Sequence, residues 1–198
     1  MERSSRSALA FAALAALLLA GAPAAGAGHM TMQGGVFVPW QGDVGYSLLL
    51  QLLGSNASAK ARFGGEFEYR NFDSTIVGVS DVEVESYVIR GIWQQHFLPD
   101  APVTPYIGLG LGIAINDVDN GKVDRVRGRK VRHSTGAGPD GLFMLGIEAK
   151  IPDLDYMSIF AEGRIGFTYD FVDREDKSGL ETENLGGASG NVGIRFRF

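Results

Sequence analysis

Read for chemistry, the sequence offers ionisable residues set two positions apart. Glu66 and Glu68 flank Phe67, Glu162 and Arg164 flank Gly163, and Arg195 and Arg197 flank Phe196. Two carboxylates are the minimum for general acid–base work, in which one is kept protonated and the other ionised. The same spacing has a plainer reading: residues i and i+2 share a face of an extended strand, so the pairs meet without any reaction to serve. Other residue types lend catalysis little support. His29, His96 and His133 are scattered, whereas a metal site needs clustered ligands. His133 and Ser134 are adjacent, which in an extended segment points them to opposite faces. Neither a G-x-S-x-G elbow nor H-E-x-x-H occurs. The expectation is therefore a non-enzymatic protein without cofactor or metal.

A second concentration of charge is "GKVDRVRGRKVRH". It sets Lys122, Arg125, Arg127, Arg129, Lys130 and Arg132 against the single Asp124. A solvated hairpin whose charges guard its edges from aggregation would look like this. So would a candidate anion-binding loop. The segment around Asp173, Glu175, Asp176, Glu181 and Glu183 is acidic, and the two are of a sign to attract each other. The net charge of −5 argues against nucleic acid as a general partner.

The elements that position these groups are strands. In "PYIGLGLGIAIND" Ile107, Leu109, Leu111, Ile113 and Ile115 alternate with Gly108, Gly110, Gly112, Ala114 and Asn116. The same period of two runs through "ARFGGEFEYR", "YMSIFAEGRIGFTYDF" and the closing "NVGIRFRF". Turn residues cut the pattern into eight segments, near 30–39, 43–53, 59–72, 82–97, 105–117, 140–151, 155–171 and 185–198. Short turns ("GSNAS", "PDAPVT", "PDLD") alternate with longer polar connections, the one before strand six running from Val118 to Pro139. Only "PWQGD" is short where a long loop belongs. This is an up-and-down antiparallel meander with both chain ends on the short-turn side.

Alternation alone does not say which row faces inward. Three features place the apolar row outside. Most segments reach the 9–11 residues or so that a tilted membrane-crossing strand needs. The polar row is rich in Gly, which weakens strands but makes room in the narrow interior of an eight-stranded barrel. Aromatic residues (Trp40, Phe72, Phe97, Tyr106, Tyr156, Tyr169 and Phe171) gather toward strand ends, as in interfacial girdles. By parity the inward charges are then Arg62, Glu66, Glu68, Arg70, Arg90, Glu148, Lys150, Glu162, Arg164, Arg195 and Arg197. Both signs are present, and buried charges must be paired to be tolerated. We expect a mid-height lumen charge network of Glu66, Glu68, Arg90, Glu162 and Arg164 that closes the interior.

The two ends of the sequence agree with this. Arg3 and Arg6, an apolar run from Ala8 to Ala20, Pro23 and Ala25-Gly26-Ala27 have the three-part form of a secretory signal peptide, expected to be cleaved after Ala27. Residues 28–198 then form one domain, without cysteine and therefore without disulfides.

Taken together, export signal, meander, loop alternation and terminal Phe198 resemble the small outer-membrane β-barrel family of the OmpA/OmpX type, over essentially all of 28–198. The resemblance implies an all-β, eight-stranded, antiparallel transmembrane barrel in the bacterial outer membrane, with both termini periplasmic. It implies that Val192, Ile194, Phe196 and Phe198 form a C-terminal signal read by the outer-membrane assembly machinery. Lipid and lipopolysaccharide become expected partners, with anionic surface or host ligands for the basic loop, and the barrel is expected to be a monomer. Of the roles open to it, a structural or adhesive one fits best. A narrow pore for small solutes is the alternative. A lipid A-modifying enzyme, which some small barrels are, fits less well because the Ser and His that such enzymes use are not framed here.

Overall fold

The computed structural model describes residues 28–56, 60–76, 79–119, 134–173 and 180–198. The leader at 1–27 and the basic segment holding Lys122, Arg125, Arg127, Arg129, Lys130 and Arg132 lie outside these residues. All regular structure among the described residues is strand: β1 (Gly28–Pro39), β2 (Gly45–Ser55), β3 (Ala61–Ile76), β4 (Val79–His96), β5 (Val103–Asp119), β6 (Ser134–Ile151), β7 (Leu154–Asp173), β8 (Leu180–Asn184) and β9 (Gly187–Arg197). Each of β1 to β7 pairs antiparallel with the next. β8 and β9 are successive parts of one stave, interrupted at Leu185–Gly186; β8 pairs with β7, and β9 pairs with both β7 and β1. The sheet is thus a closed barrel of eight staves. Gly28 and Phe198 exchange backbone hydrogen bonds of 2.8 and 2.9 Å at the seam.

The register fixes the tilt. Partners run from His29 to Leu53, Gly64, Ile92, Gly110, Leu142, Gly166 and Gly187, and return to β1 at Pro39, ten residues beyond the start. Ten residues of rise over eight strand spacings correspond to a tilt of about 40°. A barrel of this size has an interior that side chains fill.

The apolar row faces outward. Leu111 is 76% exposed, and Met32, Leu48, Leu109, Ile113, Phe143, Leu145, Ile147, Ile159, Val192 and Ile194 are exposed in the same belt. The interior is buried and mostly polar: Thr31, Gln51, Glu66, Glu68, Arg90, Asn116, Glu162, Thr168 and Arg195 are all nearly inaccessible. A water-soluble monomer does not expose a continuous apolar belt of this extent.

Three expectations need correction. Phe72 and Tyr106 are not girdle aromatics, because both point into the barrel and are buried; an aromatic near a strand end fits the outer rim and a tapering interior equally well. Trp40, Phe97, Tyr156 and Tyr169 do lie exposed on the outside. Lys150 and Arg197, though of inward parity, are exposed at the short-turn end, where the barrel wall stops and long side chains reach water. The strands are also longer than expected at the opposite end. β3 and β4 extend to Ile76 and Val79, and β6 begins at Ser134 rather than 140. Apolar alternation ends where the belt ends, while backbone pairing continues beyond it with polar residues.

Those extensions leave an uneven rim. β1 and β2 join low, through 40–44, whose backbone leans on β3 (Asp43 N to Asp73 O, 2.9 Å). β3 to β6 rise together as a four-stranded wall. β7 and β8 rise as a separate hairpin. The β6–β7 ladder stops at Asp140–Thr168, one residue short of Pro139, which has no N–H to offer it. Inside the mouth Phe37, Phe72, Val82, Val84, Val118 and Leu185 pack as a buried apolar layer.

Candidate functional site

Beneath that apolar layer lies a cluster built from facing staves. Arg90 on β4 is the register partner of Glu66 on β3, and its Nη1 donates to Glu66 Oε1 at 2.6 Å. The same guanidinium pairs with Glu68 and, through Nε, with Asp140 on β6. Arg164 on β7 reaches across the lumen to Glu66 with two hydrogen bonds, 2.9 and 2.7 Å, while its Nε pairs with Glu162. Arg70 donates to Glu68 at 2.7 Å, and its guanidinium lies 4.9 Å from the centre of the Phe37 ring. Neutral groups add two further bonds: Gln51 donates to Glu66 at 2.6 Å, and Thr168 donates to Asp140 at 2.6 Å.

A second cluster fills the lumen nearer the chain ends. Glu148 Oε2 accepts from Arg62 at 2.7 Å and from Arg195, and Ser158 donates to its Oε1 at 2.7 Å. Arg195 also donates to Thr31 at 3.0 Å. Between the clusters sits an apolar layer of Leu53, Ile92, Tyr106, Leu142 and Met144. Tyr106 links the two. Its hydroxyl donates to Glu162 at 2.8 Å, and its ring stacks on His96 at 4.8 Å and lies under Arg195 at 5.5 Å. Glycine provides the space: a Cβ on Gly146 would overlap the Tyr106 ring, and one on Gly110 would sit 2.6 Å from Ile92 Cδ1 and 3.2 Å from Arg90 Cδ.

The charges balance in a definite way. The upper cluster has three guanidiniums (Arg70, Arg90, Arg164) and four carboxylates (Glu66, Glu68, Asp140, Glu162). The lower has two guanidiniums (Arg62, Arg195) and one carboxylate (Glu148). The imbalances are equal and opposite, so the ten ions sum to zero. The structure thus brings Glu66, Glu68, Arg90, Glu162 and Arg164 into one network. Sequence parity missed Asp140, which falls at the very start of the strand drawn from apolar alternation. It also missed Gln51, Tyr106 and Thr168, which carry no formal charge to draw attention.

This arrangement can hold charge. Each carboxylate is engaged by a guanidinium. Ser158, Glu148 and His96 come close together, with His96 Nδ1 3.8 Å from Glu148, yet the serine hydroxyl donates to the carboxylate and not to the imidazole. That is the reverse of a nucleophile handing its proton to a base. No group of metal-ligating side chains occurs among the described residues. On the outside Val192 and Ile194 are exposed in the belt, Phe196 is half-buried on the same face, and Phe198 is 70% exposed at the barrel's edge.

No protein-family model matches the sequence, and no curated protein does. Among solved structures the chain is similar to Neisserial surface protein A (TM-score 0.61, 15% identity), over 88% of this chain and 100% of that one. Weaker likenesses are to a major outer membrane protein from Thermus thermophilus (TM-score 0.43, 11% identity, 86% and 99% covered) and to Ail of Yersinia pestis, solved with the heparin analogue sucrose octasulfate (TM-score 0.44, 13% identity, 88% and 100% covered). Closed in eight staves, apolar outside and ion-paired within, the chain has the fold of the small outer-membrane β-barrels.

Proposed function

We propose that this chain is a non-enzymatic, monomeric protein of the bacterial outer membrane. In this reading its barrel is a sealed scaffold, and its tall hairpins are the working surface, structural or adhesive in role. The observation that carries the proposal is the neutral network of ten paired ions in a lumen whose outer wall is apolar. Ions taken from water cost several kcal/mol each unless their partners replace the lost hydration. Here the pairs fill the cross-section in two layers, with Tyr106 and its apolar neighbours between them and a third, apolar layer at the mouth. That stacking supports a plug over a channel.

The rest of the proposal extends this reading with the sequence of the leader, the basic loop and the chain ends. Residues 1–27 direct export and are removed before Gly28. The seam of Gly28 and Phe198, with the short turns, faces the periplasm, and the polar hairpins face outward. Lipid and lipopolysaccharide surround the belt. Val192, Ile194, Phe196 and Phe198 are the assembly signal, and Lys122, Arg125, Arg127, Arg129, Lys130 and Arg132 contact anionic surface or host groups. The testing experiment is expression followed by membrane fractionation, N-terminal sequencing and planar-bilayer recording. An outer-membrane protein beginning at or near Gly28, shifting on gels when heated and giving no conductance steps, is the expected result. Regular open-channel steps would replace the plug with the narrow-pore reading. A soluble product with Met1 intact would overturn the location.

A further inference from the structure

The lower charge layer of the lumen is short of negative charge. Arg62 and Arg195 converge on a single oxygen, Glu148 Oε2, the first at 2.7 Å. Two guanidiniums thus share one carboxylate. The carboxylate excess that balances them lies in the upper cluster, beyond the apolar layer of Leu53, Ile92, Tyr106, Leu142 and Met144. The exposed charges at the same end of the barrel do not make up the difference, because Lys60, Lys150 and Arg197 stand against Asp100, Asp153 and Asp155. Residues 57–59 are Ala-Ser-Ala and add no charge.

In this layer Arg62 Nε and His29 Nε2 have no hydrogen-bond partner among the described residues. Both side chains are deeply buried, at 7% and 5% exposure, and His29 lies within electrostatic range of Arg62, Arg195 and Glu148. Arg62 Nε always carries a hydrogen, and His29 Nε2 carries one in one of the two ring tautomers. His96 does not belong with them. Its Nε2 is 3.3 Å from Gln94 Oε1, an oxygen that also accepts from Arg195. Nε2 therefore holds the hydrogen, and the neutral ring presents a lone pair at Nδ1. A buried donor left without an acceptor is costly, so the group that completes Arg62 and His29 must accept from both. Two guanidiniums repel a cation, and their surplus charge favours an anion over water. The walls set its kind. Arg195 lies 5.5 Å from the centre of the Tyr106 ring and 5.1 Å from that of Phe160, so the surroundings are partly apolar. A weakly hydrated, singly charged ion gives up less on entering such a place than phosphate or sulfate does. We infer that the lower lumen layer binds a halide ion, chloride in ordinary saline, between Arg62 and His29. The ion enters from the short-turn end, where Arg62, His29 and Glu148 keep slight exposure while Glu66 has none. The inference is independent of an adhesive role, and it holds for a sealed barrel and a narrow pore alike.

The test uses the full barrel in detergent. Crystals grown in sodium bromide should show an anomalous-scattering peak between Arg62 Nε and His29 Nε2. The urea midpoint should rise saturably with sodium chloride or bromide, as expected of a ligand that binds only the folded state, and should not rise with sodium gluconate at the same ionic strength. Arg62→Lys keeps a cation beside Glu148 but loses the Nε donor, and His29→Leu removes the other donor. Each should raise the half-saturating halide concentration several-fold, whereas Lys150→Gln at the exposed rim should leave it unchanged. The heat-dependent gel shift shows which variants fold, and His29→Leu carries the test if Arg62→Lys does not. A bromide peak only beside Lys60, Lys150 or Arg197 would mean an adventitious ion only and would overturn the site. So would equal midpoints in halide and gluconate with no peak in the lumen, which would leave water as the acceptor. A halide response unchanged in His29→Leu and in folded Arg62→Lys would remove these two residues from the site. A saturable response to phosphate but not to chloride or bromide would overturn a halide as the occupant.

Discussion

Arg164 holds Glu66 with two parallel hydrogen bonds, Nη1 to Oε1 at 2.9 Å and Nη2 to Oε2 at 2.7 Å, across 98 residues of sequence. The fork geometry of a guanidinium matches a carboxylate, which gives this contact its directionality. Glu66 also accepts from Arg90 and Gln51, so it is the point where three staves are tied to a fourth. Replacing it with Ala should leave two buried guanidiniums short of a partner and cost about 3–5 kcal/mol. The double variant Glu66→Ala with Arg164→Met should cost much less than the two single changes added together. Equilibrium unfolding by urea in detergent measures both. Additive losses would mean that the pair is screened by water and closes nothing.

Tyr106 couples the two charge layers, and its hydroxyl is separable from its ring. Tyr106→Phe removes the bond to Glu162 while keeping the contacts with His96 and Arg195. The loss should be about 1.5–3 kcal/mol, the range for a hydrogen bond to a charged group. Gly146→Ala should destabilise by pressing on the ring. Tyr106→Phe should not relieve that clash, since the overlap involves ring carbons as well as the hydroxyl, whereas Tyr106→Leu should. Thermal midpoints of the single and double variants decide the matter. A neutral Gly146→Ala would show that the wall gives way easily here.

The belt makes a prediction that separates a membrane barrel from a soluble one. Leu111 lies midway along the outward row of β5 and is 76% exposed. Leu111→Arg should cost about 2–4 kcal/mol in phospholipid vesicles, the range for a cation near the bilayer midplane. Glu83→Arg, on the outer side of β4 beyond the belt, should shift stability by no more than about 1 kcal/mol. Reversible unfolding from vesicles would measure the difference. Equal, small effects at both positions would contradict a lipid-facing belt.

How much of this was readable without coordinates depends on period and reach. A period of two puts Glu66, Glu68, Arg90, Glu162 and Arg164 in the polar row, and strand length, the glycine content of that row and the aromatic strand ends turn it inward. Neighbouring-strand contacts such as Arg90 with Glu66 follow once the hairpin register is known. Contacts across the lumen do not follow from register: Arg164 meets Glu66 because the narrow bore brings opposite walls within reach of their side chains. Asp140 was hidden because apolar alternation stops near it while pairing runs on to Ser134. Tyr106 was misplaced because an aromatic ring satisfies a lipid interface and a packed interior equally. The end of the β6–β7 ladder was not legible, since one proline in an apparent loop does not reveal which ladder it ends.

Phe198 offers the sharpest separation between a residue that stabilises and one that addresses. Its backbone closes the seam with Gly28 through bonds of 2.8 and 2.9 Å, while its side chain is 70% exposed. Full burial of such a side chain is worth about 1.5–3 kcal/mol, and an exposed ring contributes only part of that. Phe198→Ala keeps the backbone bonds and removes the ring. If the ring is part of a signal shared with Val192, Ile194 and Phe196, refolding into detergent from urea should be almost unchanged. The amount of protein in the outer membrane of expressing cells should fall several-fold, with the excess found unfolded in the periplasm. Phe198→Tyr, which keeps the aromatic ring, should restore most of it. Equal losses in refolding and in cells would make the ring a structural contact, and unchanged levels in cells would remove it from the signal.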